Sequence, residues 1–111
     1  AVVADQLGTP TYAEDLAAAI VDIMSNEGRI EHEGIYHYSN EGICSWYEFA
    51  TEIVRLSGKD CKVKSVTTAE YPSKTRRPAY SVLDKTKIKR TFGIQIPDWK
   101  EALGRMMKNL N

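Results

Sequence analysis

Apolar positions recur at helical spacing in four stretches of this chain and alternate at strand spacing in short segments between them. In residues 12–25, Ala13, Leu16, Ala17, Ile20 and Ile23 make a stripe expected to face the core, ended by Asn26 and Gly28. Residues 29–33 follow as a charged loop. In residues 46–57, Trp46, Phe49, Ala50 and Ile53 share one face. Ser45 and Glu48 stand at capping-box spacing before it, and Gly58 takes the left-handed position that stops it. Asp84 caps a shorter helix in which Ile88 and Phe92 are neighbours, ended by Gly93. Pro97 and Asp98 introduce the last helix, with Trp99, Ala102, Leu103, Met106 and Leu110 as its buried stripe. Val2 and Val3 end a strand, and residues 34–39 form another, with Ile35 and His37 on one side and Tyr36 and Tyr38 on the other. Residues 62–66 alternate like a third, half-exposed strand. Pro72 and Pro78 keep residues 67–79 mostly loop, with room for one turn at 68–71. This alternation predicts α/β layering in one domain, residues 1–111, but three short strands make a thin sheet that needs covering.

The chain is organised around residues 5–16. Gly8 and Pro10 punctuate a tight loop, and Thr11 with Glu14 has the spacing of a second capping box. A strand that runs through such a loop into a helix start brings backbone N–H groups and partial positive charge towards an anion. Asp5 and Gln6 are placed to hydrogen-bond the hydroxyls of a sugar or nucleotide, and Thr9 and Thr11 add hydroxyls of their own. Asp15, in the first helical turn, complements the helix dipole. The other chemical feature is the basic loop Lys74-Thr75-Arg76-Arg77-Pro78. Guanidinium offers planar, bidentate bonding to phosphate, and Pro78 restricts Arg77 to extended backbone that pre-aims its side chain.

Composition narrows the partners. Fifteen basic and fifteen acidic residues give zero net charge, so neither nucleic acid nor an anionic membrane is an expected partner. No apolar run approaches the roughly 20 residues of a membrane span, and no signal-peptide pattern appears, which predicts a cytoplasmic protein. Cys44 and Cys61 lack zinc-ligand or redox spacing and are expected to be reduced. His32 and His37 have no partners at ligand spacing; His37 fits a side chain packed in the sheet. Trp46 has the face of a base-stacking residue but sits in a helical stripe, which assigns it to the core. The seven glycines contain no Gly-x-Gly pair, and no tyrosine is followed four positions later by lysine.

Three stretches carry a resemblance: Asp-Gln-x-Gly-x-Pro-Thr-Tyr at residues 5–12 with Asp-Leu-Ala after it, Gly34-Ile35-Tyr36-His37 leading to residues 44–50, and Arg77-Pro78-Ala79-Tyr80-Ser81 onward. Together they resemble the C-terminal, substrate-binding part of dTDP-4-dehydrorhamnose reductases, in the extended short-chain dehydrogenase/reductase superfamily. The resemblance implies a small α/β substrate domain of about four helices and two or three short strands, without the Rossmann half. It implies substrate contacts from Asp5, Gln6, Gly8, Thr9, Pro10, Thr11 and Arg77, with Arg77 on the diphosphate and no catalytic residue here. The intact enzyme is then expected to use NADPH, with Mg2+ at a dimer contact, to reduce a dTDP-4-keto sugar to dTDP-L-rhamnose. No acidic cluster in the sequence identifies the Mg2+ site. A chain that opens Ala-Val-Val inside a strand is expected to be a fragment, inactive alone, whose partners are the dTDP-sugar, the missing Rossmann domain and a second subunit. A nucleotide-sugar epimerase or dehydratase shares the Arg loop, but the Gln-x-Gly-x-Pro stretch argues against it. A regulatory subunit of methionine adenosyltransferase with the same fold, and an independent binding module, are the non-catalytic alternatives.

Overall fold

The computed structural model describes residues 1–25, 33–70, 75 and 77–110. The order is β1 (Val2–Val3), β2 (Leu7–Gly8), α1 (Ala13–Ser25), β3 (Cys44–Ser45), α2 (Trp46–Ser57), β4 (Ser65–Val66), α3 (Thr86–Phe92) and α4 (Trp99–Asn109). The expected stop at Asn26 and Gly28, most of the charged loop, Pro72 and Arg76 lie outside the described residues.

The single thin sheet of the sequence reading is replaced by two separate two-residue ladders. Parallel β1 and β4 pair Val2 with Ser65 and Val3 with Val66, and antiparallel β2 and β3 pair Leu7 with Ser45 and Gly8 with Cys44. Residues 34–39 form no strand; Ile35 is 78% exposed and His37 lies on the surface instead of in a sheet. Strand-like alternation alone was insufficient there, because a strand needs a neighbour to take its N–H and C=O groups. Of residues 62–66 only the last two pair, and the turn after Thr67 closes through the Glu70 N–H on the Thr67 carbonyl.

The core lies between α2 and α4. Cys44, Trp99 and Leu103 are buried, with Phe49, Ile53, Leu56, Met106 and Met107 packed against them. Ser45 and Glu48 close the expected capping box, and Gly58 and Gly93 adopt the left-handed stops at φ 69° and 63°. Lys85 and not Asp84 holds the cap position of α3, with Asp84, two residues before the helix, accepting from the Thr86 N–H; Asp98 caps α4 through the Lys100 N–H, and Ile88 and Phe92 are buried. Leu110, expected in the α4 stripe, is exposed, since α4 ends before it.

The start of α1 departs from expectation. Among the described residues no bond from Thr11 or Glu14 closes a capping box; Glu14 accepts from the Tyr12 hydroxyl, and the Tyr12 N–H is held by Asn40 Oδ1 at 2.7 Å. Asn40, 1% exposed, also donates to Asp15 Oδ2 at 2.8 Å and to the Pro97 carbonyl, and its own carbonyl accepts from Lys85 Nζ. Asp15 in turn takes both Arg105 amino groups at 2.8 Å each. Its carboxylate therefore ties α1 to α4, beyond the dipole role read from its position. The α1 stripe faces a core only in part: Leu16 and Ile23 are half-buried, while Ala13, Ala17 and Ile20 are exposed, as are the neighbouring Val21 (63%) and Met24 (68%). The radius of gyration is 16.6 Å, above the roughly 13 Å expected for this length, and the thinnest extent is 19 Å. A slab this thin has too little interior to bury both faces of its helices.

Two outcomes follow from the Asn40 hub. Asn40→Ala is expected to cost about 2–3 kcal/mol by losing a cap and leaving buried groups unpaired, whereas Thr11→Ala stays within about 0.5 kcal/mol. Urea midpoints check this, and an equal loss at both positions contradicts it. The Arg105 bonds hold the Asp15 carboxyl below its ordinary 3.8, against the opposing effect of burial. A depressed acid stabilises fully above its unfolded value and loses that contribution as pH falls through its folded one. The stability gap between wild type and Asp15→Asn is thus expected to be constant near neutrality and to shrink below about pH 4. A gap unchanged down to pH 3 contradicts the pairing.

Candidate functional site

Leu7 builds the site with its backbone. Its N–H donates to the Ala79 carbonyl at 2.7 Å and its carbonyl accepts from the Ser81 N–H at 2.8 Å, while β3 pairs along the other edge of β2. Three sequence-distant segments therefore meet side by side, the opening loop, the start of α2 and the residues after Arg77. Gly8 keeps the approach close, because a Cβ there would lie 3.0 Å from Ser81 Oγ.

The three segments enclose a cleft of about 180 Å³. Gln6, Leu7, Gly8, Thr9 and Pro10 line one part; Cys44, Ser45, Trp46 and Phe49 line another; Arg77, Pro78 and Ser81 complete it. Arg77 thus shares a cavity with the turn before Tyr12, from which it is more than sixty residues distant in sequence. Thr9 donates its hydroxyl hydrogen to the Gly42 carbonyl, which fixes the loop and leaves its oxygen as an acceptor. Gly42 is obligatory there: at φ 94° a Cβ would meet Asp98 Oδ1 at 2.7 Å and the Trp99 ring at 2.8 Å.

Five of the seven residues expected to bind substrate line this cleft, namely Gln6, Gly8, Thr9, Pro10 and Arg77. Asp5 instead accepts from the Thr68 N–H at 2.9 Å and from its hydroxyl at 2.6 Å, which keep its carboxyl below the usual range. Thr11 lines a smaller, mostly apolar hollow with Tyr12, Phe49 and Met106. Trp46 corrects the sequence reading: it is 57% exposed on the cleft rather than buried in the α2 stripe. It occupies the first turn of the helix, where side chains reach past the core, and the core contacts begin with Phe49. Its position directly after the Ser45 cap was the signal available in the sequence. Ser81 was also missed, and four-residue spacing from Arg77 is its only mark. Cys44 is no nucleophile, since burial pushes its thiol up to about 11, and both cysteines are free.

The profile of the RmlD substrate binding domain matches residues 1–111. The chain belongs to this family. Among relatives of this RmlD substrate binding domain, the spore coat polysaccharide biosynthesis protein SpsK of Bacillus subtilis (strain 168) is 53% identical over 102 residues, 92% of this chain and 34% of that protein. The dTDP-4-dehydrorhamnose reductase of Sinorhizobium fredii is 41% identical over 113 residues, 96% of this chain and 38% of its own length. A crystal structure of a dTDP-4-dehydrorhamnose reductase from Clostridium acetobutylicum superimposes with a TM-score of 0.88 at 42% identity, covering 98% of this chain and 38% of that one. A second, from Bacillus anthracis in complex with NADP, gives 0.85 at 35% identity, covering 99% and 37%. The chain thus spans between a third and two-fifths of these relatives' length, and it corresponds to their C-terminal part.

The domain has no Gly-x-Gly pair, and among the described residues no three His, Cys, Asp or Glu side chains gather.

Proposed function

We propose that this domain grips a dTDP-sugar for an NADPH-dependent dTDP-4-dehydrorhamnose reductase, with hydride and proton supplied by an N-terminal nucleotide-binding half. The observation that carries the reading is the convergence of Arg77 and residues 6–10 on one cleft, two elements that only the fold brings together. Arg77 holds the diphosphate through charge-assisted hydrogen bonds, and Pro78 limits how far its backbone can turn away. The Thr9 oxygen and the Gln6 amide face the hydroxyl-bearing part of the ligand. Asp5 and Thr11 support this wall from outside the cleft, Asp5 by bracing the Thr68 turn.

The cleft is smaller than the roughly 300–1,000 Å³ in which pockets enclose a whole ligand. The domain therefore supplies one wall and the second half supplies the other. The thin slab and the exposed α1 face agree with such a partner. What the domain contributes to the reduction is orientation: fixing the diphosphate sets where the 4-keto carbon rests against the nicotinamide. SpsK's name ties that relative to polysaccharide synthesis, and a dTDP-deoxysugar is a donor of that kind. A soluble, cytoplasmic enzyme acting as a homodimer completes the reading, with no role given to Mg2+.

In the full-length protein, Arg77→Ala is expected to weaken dTDP-sugar binding about tenfold with the thermal midpoint unchanged, since Arg77 is exposed. Titration calorimetry measures it, and undiminished affinity removes the diphosphate contact.

A further inference from the structure

The exposed indole of Trp46 has no use in the reading given so far. Tryptophan is mostly buried in folded domains, as Trp99 is here at 5% exposure, yet Trp46 leaves more than half of its surface uncovered. Its backbone is fixed, because it is the first residue of α2, directly behind the closed Ser45–Glu48 capping box. Phe49, three residues on, lines the same cleft and is held edge-on to Trp99 at a centroid distance of 6.0 Å. The result is an aromatic wall in the cavity that Arg77 also lines. A nucleoside diphosphate sugar has two puckered, hydroxyl-bearing rings and one flat one. The flat one offers an indole a full π-face, where a puckered ring offers only its C–H edge.

We infer that Trp46 is the stacking platform for the pyrimidine base of the nucleoside diphosphate, one wall of the cleft in which Arg77 takes the phosphates. The inference rests on the nucleotide-sugar reading above and assigns the base to a place within it. The cavity volume agrees, since about 180 Å³ holds part of the donor and not the whole of it. Stacking accepts any π-face, so Trp46 sets affinity for nucleotides over bare phosphates more than the choice among bases.

The test is titration calorimetry of the full-length protein with dTDP and, separately, with inorganic pyrophosphate. Trp46→Leu keeps apolar bulk without a flat ring, Trp46→Ala removes both, and Trp46→Phe keeps a smaller ring. Leu and Ala are expected to weaken dTDP about tenfold or more and Phe about threefold, while pyrophosphate affinity stays within about twofold in all three. Equal weakening of dTDP and pyrophosphate overturns the assignment, as does unchanged dTDP affinity. If Ala lowers the thermal midpoint and Leu restores it with normal dTDP binding, Trp46 meets a protein surface and the assignment also fails. If wild type binds pyrophosphate and dTDP while the Trp46 variants match it, this inference alone falls. If wild type binds neither ligand, the nucleotide-sugar reading falls and takes it along.

Discussion

The candidate cleft of this domain depends on the backbone of Leu7, which is hydrogen-bonded to residues 79 and 81 while β2 pairs with Cys44–Ser45 on its other edge. These few bonds close loops of more than thirty residues on each side, and they do so with main-chain groups that need no particular side chain. Their consequence is geometric. Once β2 is central, a loop with Thr9 and Pro10, a helix start with Trp46 and an arginine before a proline have no choice but to face one another. Gly42 is a place where this closeness demands a missing side chain, and a Cβ at Gly8 would press on the Ser81 hydroxyl.

A second set of bonds holds the layers around that strand. Asn40 reaches α1 through Tyr12 and Asp15, α4 through Pro97, and α3 through Lys85. Arg105 then locks Asp15 with paired bonds and lies over the Tyr12 ring at 5.5 Å. A polar hub suits a domain with a core of few buried apolar residues, because directional bonds fix helix positions that packing alone leaves loose. The same economy of core explains the exposed α1 face and the 19 Å thickness.

Local signals were legible in the chain, and long-range ones were not. The Ser45–Glu48 box, the glycine stops at 58 and 93, the Asp98 cap and the Trp99-Ala102-Leu103 stripe all depend on residues within four or five positions. The family was legible too, because motif order survives without coordinates. The Thr11–Glu14 box failed because α1 starts one residue later, at Ala13, with the Tyr12 carbonyl taking its first bond and the Glu14 carboxylate accepting from the Tyr12 hydroxyl. The strand at 34–39 failed because alternation describes what a strand would look like, not whether a neighbour is present. Trp46 was assigned to the core because helical periodicity does not distinguish a core from a cleft wall on the first turn. That Arg77 and residues 6–10 share a cavity follows only from the Leu7 pairing.

Backbone amide NMR during titration of the full-length protein with dTDP tests the claim that the Leu7-centred cleft is where the donor is held. The account predicts that shifts concentrate on residues 6–9, 44–46, 77 and 81. Shifts confined to the separate hollow lined by Asp22, Tyr38 and Ile94, or absent from all three segments at saturation, contradict it.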